Sequence, residues 1–205
     1  MEILEQLGLA LGFAALSGIN LYLTTLVAGL AIRFNWISLA SEYEQLAVLG
    51  NGWIIGVAAV LFLVEFFADK VPWLDSAWDT VHTIVRPAGG VFLALAAMGE
   101  LDPTASVIAG LLAGGATLAT HSAKAGGRLL INMSPEPVSN VVASFGEDGL
   151  VLGGLTLMGL APVIAFFVFL AVVVLAVVIV TRCWGTVRKG AGVLKRKMFR
   201  REAEV

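Results

Sequence analysis

The chain has 205 residues, of which 59% are hydrophobic and 14% charged, with a mean hydropathy of +0.92 and a net charge of −2. A soluble domain is about 45–50% apolar and about a quarter charged, and a chain of this size exposes too much surface to hide the excess. The composition therefore excludes an ordinary soluble domain and predicts one membrane domain, residues 1–181. The single cysteine, Cys183, excludes an intrachain disulfide.

Apolar segments follow one another along the chain. A helix needs about 20 apolar residues to cross a bilayer. In chain order the segments are 7–32, 53–68, 87–99, 106–120, 149–161 and 162–181. We therefore expect an all-α polytopic membrane helix bundle of about six spans, in which the short segments 87–99 and 149–161 either span or re-enter.

Positive charge is concentrated at the C-terminus. Eight of the thirteen Lys and Arg residues lie in the tail, residues 182–205, and in a six-span arrangement only Arg33 lies on the opposite side from that tail. The positive-inside rule then predicts that both termini are cytoplasmic, and a five-span arrangement is expected to lose this agreement. The tail is expected to contact anionic membrane lipids, and nucleic acid is not an expected partner.

Two stretches of the chain are weakly similar. Residues 92–99 resemble residues 152–159, which divides the domain into units of about 52–100 and 105–161. Paired short segments interrupted by Gly or Pro in two halves point to a transporter binding site. Chance similarity in a chain rich in Ala, Gly and Leu is the alternative.

Each unit carries polar residues at helical spacing before its short apolar segment. In the first unit they are Asp75, Asp79, His82 and Arg86. In the second they are Glu136, Asn140, Ser144 and Glu147. Such a face either lines a polar cavity or lies on the membrane surface with its polar side in water.

Further polar residues interrupt the apolar segments. Glu65 and Asp69 form an acidic face that either binds an ion or lies among the lipid headgroups with Lys70. Glu147 and Asp148 are expected either in a polar site or as anions at a helix N-terminus.

The first apolar segment contains Ser17, Asn20 and Thr24 on one face. They predict either tight packing or a broken helix that exposes carbonyl groups to a ligand. His121 and Lys124 follow the fourth segment, where His121 is either a ligand or a satisfied interfacial residue.

Several short motifs carry a resemblance to a known family. They are Ser17-Gly-Ile-Asn20, Glu65-x-x-Ala-Asp-Lys-x-Pro72, Arg86-Pro87, His121-x-x-Lys124, Ser139-Asn140 and Ser144-x-x-Glu-Asp148. Over residues 8–162 the chain resembles a family of small bacterial integral membrane proteins catalogued as domain of unknown function 4126. The resemblance implies a location in the bacterial inner (plasma) membrane and brings no established activity. The stretch from Glu65 to Lys70 is also similar to the Glu-x-Gly-Asp-Lys signature of small cation/proton exchangers, with one extra residue in the spacing and Ala in place of Gly.

We expect a small transporter or channel for an ion, such as a cation or a proton, or for a small polar solute. The expected binding residues are Glu65, Asp69, Asp75, Asp79, His82, Asn20, Asn140 and Glu147, and the secondary ones are Lys70, Arg86, His121, Lys124 and Asp148. No catalytic residue, metal or cofactor is expected, and an enzyme acting on a lipid-linked substrate is the least favoured class. The alternative is a structural or lipid-interacting membrane protein without transport activity. Short Gly-rich spans favour a homo-oligomer.

Overall fold

The computed structural model describes the backbone of residues 2–36, 44–133 and 137–202, and the side chains of residues 3–36, 45–133 and 138–183. The described residues form one 3-10 helix (Glu44–Gly50) and six α-helices. These are α1 (Glu2–Arg33), α2 (Gly52–Ala68), α3 (Pro72–Met98), α4 (Pro103–Asn132), α5 (Pro137–Leu160) and α6 (Pro162–Glu202).

Five of these helices are long and apolar enough to cross a membrane, and α2, with 17 residues, is a shorter apolar helix. The prediction of an all-α membrane helix bundle is therefore confirmed. The two units expected to be related correspond to the helix pairs α2–α3 and α4–α5, and their relationship stays a prediction.

The two short apolar segments are the final parts of long helices. Segment 87–99 includes the last residues of α3, and Pro87 lies in the interior of that helix. Segment 149–161 includes the last residues of α5. Pro87 was expected either to kink or to end the preceding helix, and the structure shows that the helix continues past it to Met98. Proline is tolerated within membrane helices because neighbouring groups can satisfy the backbone group it frees. Gly99, with φ of 68°, follows the end of α3, and Asp102 caps the start of α4.

α1 is interrupted at Asn20, whose backbone is extended, with φ of −150° and ψ of 99°. The Oδ1 atom of Asn20 accepts a hydrogen bond from the backbone N–H of Leu23 at 2.9 Å, as an N-cap residue does at the start of a helix. Thr24 Oγ1 donates to the Asn20 carbonyl at 2.7 Å. The broken-helix alternative is therefore the one observed, and α1 consists of two arms joined at Asn20.

The first arm of α1 runs antiparallel to α5. Gly8 packs against Pro162, at the junction of α5 and α6. A Cβ added to Gly12 would lie 2.5 Å from the sulfur of Met158, one turn earlier in α5. Asn20 Nδ2 then donates to Asp148 Oδ1 at 3.1 Å, near the middle of that helix. The first arm thus begins at the end of the bundle that holds Pro162, here called the Pro162 end, and stops partway through.

The second arm returns to the same end. A Cβ added to Gly29 would lie 2.6 Å from the carbonyl oxygen of Leu49, in the 3-10 helix. Gln45, in that same 3-10 helix, shares a cavity of about 410 Å³ with Gly99 and Glu100 at the turn between α3 and α4. The second arm therefore ends beside the α3–α4 turn.

The first arm begins beside that turn too, because Leu7 shares a cavity of about 420 Å³ with Met98 and Ala105. A straight helix of 32 residues would be about 48 Å long at 1.5 Å per residue, so its two ends could not both lie there. α1 is therefore a helical hairpin that enters the bundle and turns back at Asn20.

The hairpin is the central element of the bundle. In its most apolar window 67% of the residues are buried, against 33% or less in the other candidate spans. The side chains of Ser17, Asn20 and Thr24 are buried, with at most 1% of each residue exposed. The polar residues of α1 are therefore surrounded by protein.

The opposite end of the bundle, here called the Pro72 end, holds the α2–α3 connection and the end of α4. Asn132 Nδ2 donates to the Pro72 carbonyl at 3.2 Å. α6 runs toward this end, because Ile179 lines a cavity with Lys124 late in α4. Cys183 follows one turn after Ile179, whereas the N-terminus lies at the Pro162 end.

The termini therefore lie at opposite ends, and the prediction that both share one side is wrong. Its physical reason is the break at Asn20, which turns α1 back. The expectation that five crossings lose the charge asymmetry is wrong too. No Lys or Arg precedes Arg33, so placing the N-terminus on the other side moves no positive charge.

Candidate functional site

Charged side chains from four parts of the fold meet beside the turn of α1. We call them the ion-pair network: Glu65, Asp69, Arg86, Lys124, Arg128 and Glu147. Glu65 lies near the end of α2 and Asp69 follows it, Arg86 is in α3, and Glu147 is in α5. The pairing joins helices that the sequence separates widely.

Arg86 bridges α1 and α2. Its Nη2 atom donates to Glu65 Oε1 at 2.8 Å, and its Nη1 atom donates to the Gly18 carbonyl at 3.1 Å. The side chains of Arg86 and Glu65 are both fully buried. Carbonyl groups just before a helix break lack partners within the helix, and Arg86 supplies one. The alternative that places Glu65 among lipid headgroups does not describe this position.

Lys124 binds the next carbonyl of the break. Its Nζ atom donates to the Ile19 carbonyl at 3.0 Å. The same atom lies 3.4 Å from Glu147 Oε2, 3.5 Å from Glu65 Oε1 and 3.6 Å from Asp69 Oδ2. Four oxygen atoms therefore surround one ammonium group.

Arg128 closes the network toward the Pro72 end. Its Nε and Nη2 atoms donate to the two carboxylate oxygens of Glu147 at 2.9 and 2.7 Å, a bidentate pair. Its Nη1 atom donates to the carbonyl of Asn140 at 3.0 Å, and Nη2 lies 3.3 Å from Asp69 Oδ2. Arg128 is not among the binding residues expected from the sequence. The spacing His121-x-x-Lys124-x-x-x-Arg128, which puts all three on one helix face, was the signal that could have found it.

The polar face of α3 is directed into the bundle. Asp75, Asp79, His82 and Arg86 are all buried, with at most 5% of each residue exposed. The alternative in which this face lies in water at the membrane surface therefore does not describe α3. Asp75 Oδ2 accepts from Asn132 Nδ2 at 2.8 Å, whereas Asp79 Oδ1 lies 3.4 Å from Arg86 without an aligned hydrogen bond.

The corresponding face of α5 is only partly described. Asn140 and Ser144 are buried, and Asn140 Nδ2 donates to Asn132 Oδ1 at 2.6 Å. Glu136 lies outside the described residues. Glu147 and Asp148 are well inside α5 and not at its start, so the alternative of helix N-terminal anions does not describe them.

The two histidines have hydrogen-bond partners that define their tautomers. Arg86 Nη1 lies 2.9 Å from His121 Nδ1, and a guanidinium can only donate, so His121 Nδ1 accepts. Its Nε2–H then donates to Thr83 Oγ1 at 3.1 Å. His82 Nδ1 donates to the Trp78 carbonyl at 2.7 Å, and its Nε2 atom faces the Tyr22 hydroxyl at 2.9 Å. Both histidines are buried, so the interfacial alternative for His121 does not hold.

Lys70 does not join the network. Its Nζ atom donates to the Phe66 carbonyl at 2.8 Å and lies 3.1 Å from the centre of the Phe66 ring, a cation–π contact.

In the neighbouring Asp69, burial raises the pKa of the carboxyl above its ordinary value, with the Lys124 charge opposing that rise.

Carboxylates outnumber cations in this region. Six acidic side chains converge here, namely those of the network together with Asp75, Asp79 and Asp148, against Arg86, Lys124, Arg128 and the nearby Lys70. Several buried carboxylate oxygens have no hydrogen-bond partner: Glu65 Oε2, Asp69 Oδ1, Asp75 Oδ1 and both oxygens of Asp79. Among the described side chains, no three His, Cys, Asp or Glu residues are grouped so as to hold a metal ion directly. The position between three of the carboxylates is taken by Lys124.

The fold and this cluster define a small all-helical membrane protein with a buried charge network at the turn of a helical hairpin. The family pattern described as "Domain of unknown function (DUF4126)" matches residues 7–182. The match covers most of the chain, and the chain belongs to this family. No curated protein and no solved structure matches it.

Proposed function

We propose that the chain is a small membrane transporter or channel for a cation, and that the ion-pair network and the polar face of α3 form its polar path. The observation that carries the proposal is the surplus of carboxylates in this region, four of which are buried, namely Glu65, Asp69, Asp75 and Asp79. Two more acidic than basic side chains meet there even when Lys70 is counted. A buried carboxylate without a partner is costly, and a cation or a proton relieves that cost.

The small stabilisation that buried ion pairs provide also argues against a purely structural role for these charges. Replacing a buried ion pair with well-packed apolar residues is often neutral or stabilising, so ion pairs are weak contributors to stability. Ionisable residues inside membrane segments are rare and mark ion or proton pathways. A broken helix whose carbonyl groups point at the charged cluster is a feature of transporter binding sites.

The polar path occupies one half of α3. From Asp75 to Arg86 its buried face is polar over about 16 Å, at 1.5 Å per residue. Beyond Arg86 the buried residues are apolar, including Leu93 and Ala97, where the arms of the α1 hairpin pack. The hairpin would thus close one half of the path, and movement of the hairpin would open it.

The basic tail indicates which side of the membrane each end of the path faces. Residues 182–205 hold eight of the thirteen positive charges, so we place the Pro72 end at the cytoplasmic side of a bacterial inner membrane. The N-terminus then lies on the outer side, and the tail is available to anionic lipid. The polar half of α3 faces the cytoplasm in this orientation.

Uptake into proteoliposomes tests the proposal. Purified protein is reconstituted, and flux of Na⁺, K⁺, NH₄⁺ and H⁺ is followed under imposed gradients, with Glu65→Gln as the disabled variant. Glu100→Gln, a change of an exposed acidic residue in the α3–α4 turn, is the matched control. We expect flux of at least one cation in the wild type and in Glu100→Gln, and its loss in Glu65→Gln.

Absence of gradient-dependent flux for every cation, in protein shown to be folded, would refute transport. Lipid binding would then become the leading function. That alternative would be supported by anionic lipid that co-purifies with the full chain and is lost when the tail is removed.

A further inference from the structure

Asp75, in the first turn of α3, is a buried carboxylate that lies apart from the basic side chains. Four neighbouring carboxylates each have a basic group within 3.4 Å, namely those of Glu65, Asp69, Asp79 and Glu147. No described basic group lies that close to Asp75, which is 0% exposed. Asp148 also lacks such a partner among the described residues, but it is only partly buried, so water can solvate its charge.

The two oxygens of the Asp75 carboxyl group have different surroundings. Oδ2 accepts a hydrogen bond from Asn132 Nδ2 at 2.8 Å, whereas Oδ1 has no hydrogen-bond partner among the described residues. Burial without a paired cation disfavours the charged form of a carboxyl group. A proton on Oδ1 would neutralise the group and leave the Asn132 hydrogen bond in place.

We infer that Asp75 is a proton-binding site, in which Oδ1 takes up a proton from water and later returns it, and that the proton is the cation of the polar path. The inference names the ion of the proposed function, and its role in transport rests on that function. A proton needs one carboxyl oxygen, whereas a metal cation needs several ligands around it. Among the described side chains, no three His, Cys, Asp or Glu residues are grouped in that way.

Charged groups of the neighbouring elements act on Asp75 in both directions. Arg128 in α4 favours the carboxylate form, whereas Asp69 after α2 and Asp79, one turn further along α3, favour the neutral form. The N-terminus of α3 also favours the carboxylate form. The guanidinium group of Arg128 is engaged by both carboxylate oxygens of Glu147, at 2.9 and 2.7 Å. The charge of Asp75 is therefore left without a direct ion pair.

A chain of amide hydrogen bonds joins Asp75 to the ion-pair network. Asn132, whose Nδ2 atom donates to Asp75, accepts through Oδ1 from Asn140 Nδ2 at 2.6 Å. Asn140 Oδ1 in turn accepts from Arg128 Nη1 at 3.2 Å. An amide donates more strongly to a carboxylate than to a neutral acid. Proton uptake by Asp75 would therefore loosen the contact between α3 and α4 at the Pro72 end.

Infrared spectroscopy of the full-length chain tests the inference without transport. The C=O stretch of protonated carboxyl groups is followed in proteoliposomes from about pH 5 to about pH 9, a range in which exposed carboxyl groups are largely ionised. We expect a band that shifts in D₂O and disappears as the pH rises. It should be absent in Asp75→Asn and persist in Asp102→Asn. Asp102 is exposed, and asparagine keeps its role as the N-cap of α4, which makes it the matched control.

The pH dependence of stability is the second readout. A proton that the folded chain holds and the unfolded chain has released makes stability fall as the pH rises. Relative to Asp75→Asn, the unfolding midpoint of the wild type should therefore fall by about 2 °C or more between about pH 5 and about pH 8. Asp102→Asn should follow the wild type.

Isotope labelling tests the inference if Asp75→Asn does not fold. The wild type is then prepared with ¹³C in the carboxyl groups of its aspartates. A protonated-carboxyl band that moves with the label supports the inference, and a band that stays in place belongs to a glutamate and overturns it.

Two results in folded protein would overturn the inference. One is a protonated-carboxyl band that remains in Asp75→Asn, and the other is a wild type that lacks the band. Absence of flux for every cation with the band intact would refute the proposed function and leave the proton site standing. Flux of a metal cation in a wild type without the band would do the reverse.

Discussion

The guanidinium group of Arg86 donates a hydrogen bond to the carbonyl of Gly18 at 3.1 Å, so the middle of α3 caps the interrupted end of the first arm of α1. The same guanidinium group pairs with Glu65 at 2.8 Å. One buried side chain thus satisfies a helix break and compensates a carboxylate. The local geometry of α1 and the charge of the network are therefore coupled through Arg86.

Loss of Arg86 should be strongly destabilising. In Arg86→Ala the buried Glu65 carboxylate and the Gly18 carbonyl lose their partner, and breaking a buried pair costs about 3–5 kcal/mol. The free energy of unfolding in detergent measures the loss. The double variant Arg86→Met/Glu65→Gln, which removes both charges, should recover part of it. A double variant no more stable than Arg86→Ala would show that the ion pair is not the cause.

The hairpin predicts which side of the membrane each exposed position occupies. Ile3 is 72% exposed, Trp36 is 67% exposed, and Cys183 is an exposed free cysteine. In a Cys183→Ser background, Ile3→Cys and Trp36→Cys should each react with an impermeant maleimide from one side of the membrane. Native Cys183 should react from the other side. Labelling of positions 3 and 36 from opposite sides would mean that α1 crosses the bilayer.

Gly18 lies where the hairpin turns against α4. A Cβ there would overlap Thr120 Oγ1 and the Thr117 carbonyl, so Gly18→Ala should cost about 1–3 kcal/mol of unfolding free energy. Gly126→Ala is the matched control, because nothing lies within 4 Å of a Cβ at that position of α4. It should be neutral or stabilising by up to about 1 kcal/mol. Equal losses in both variants would contradict the close contact.

Substitution of Asp79 tests transport separately from stability. Its Oδ1 atom lies 3.4 Å from Arg86 without an aligned hydrogen bond, and Arg86 keeps its shorter pair with Glu65 at 2.8 Å, so the isosteric Asp79→Asn should change the unfolding free energy by less than about 1 kcal/mol. Under the proposed function, cation flux in proteoliposomes should fall at least tenfold, about 1.4 kcal/mol or more. Unchanged flux would remove Asp79 from the path.

The helical spacing of the polar residues and the hydropathy of the sequence could predict much of this arrangement. The spacing of Asp75, Asp79, His82 and Arg86 places them on one helix face, and α3 does bury that face. Spacing cannot say whether a polar face meets water or other charges, since both satisfy it equally. The choice depends on partners such as Gly18 and Asn132, which are distant in sequence.

Hydropathy could not predict the turn of α1, for a different reason. A straight span and a hairpin have the same composition, and only the neighbours of each arm distinguish them. Asn20 marked a polar interruption, but the partner of its side-chain amide, Asp148, lies 128 positions further along the chain. The role of Arg128 is harder to predict, because positive charge in a connection is usually explained by topology, although its four-residue spacing from Lys124 places both side chains on one helix face.

The α1 hairpin also has a consequence for biosynthesis. It is synthesised before α3 and α4, and the side chains that hold its carbonyls lie 68 and 105 positions further along the chain, at Arg86 and Lys124. Until α3 has been made, the hairpin apex lacks both cations, and until α4 has been made it still lacks Lys124. A nascent chain that stops before Lys124 contains every residue of the hairpin and lacks a charge that keeps it folded back.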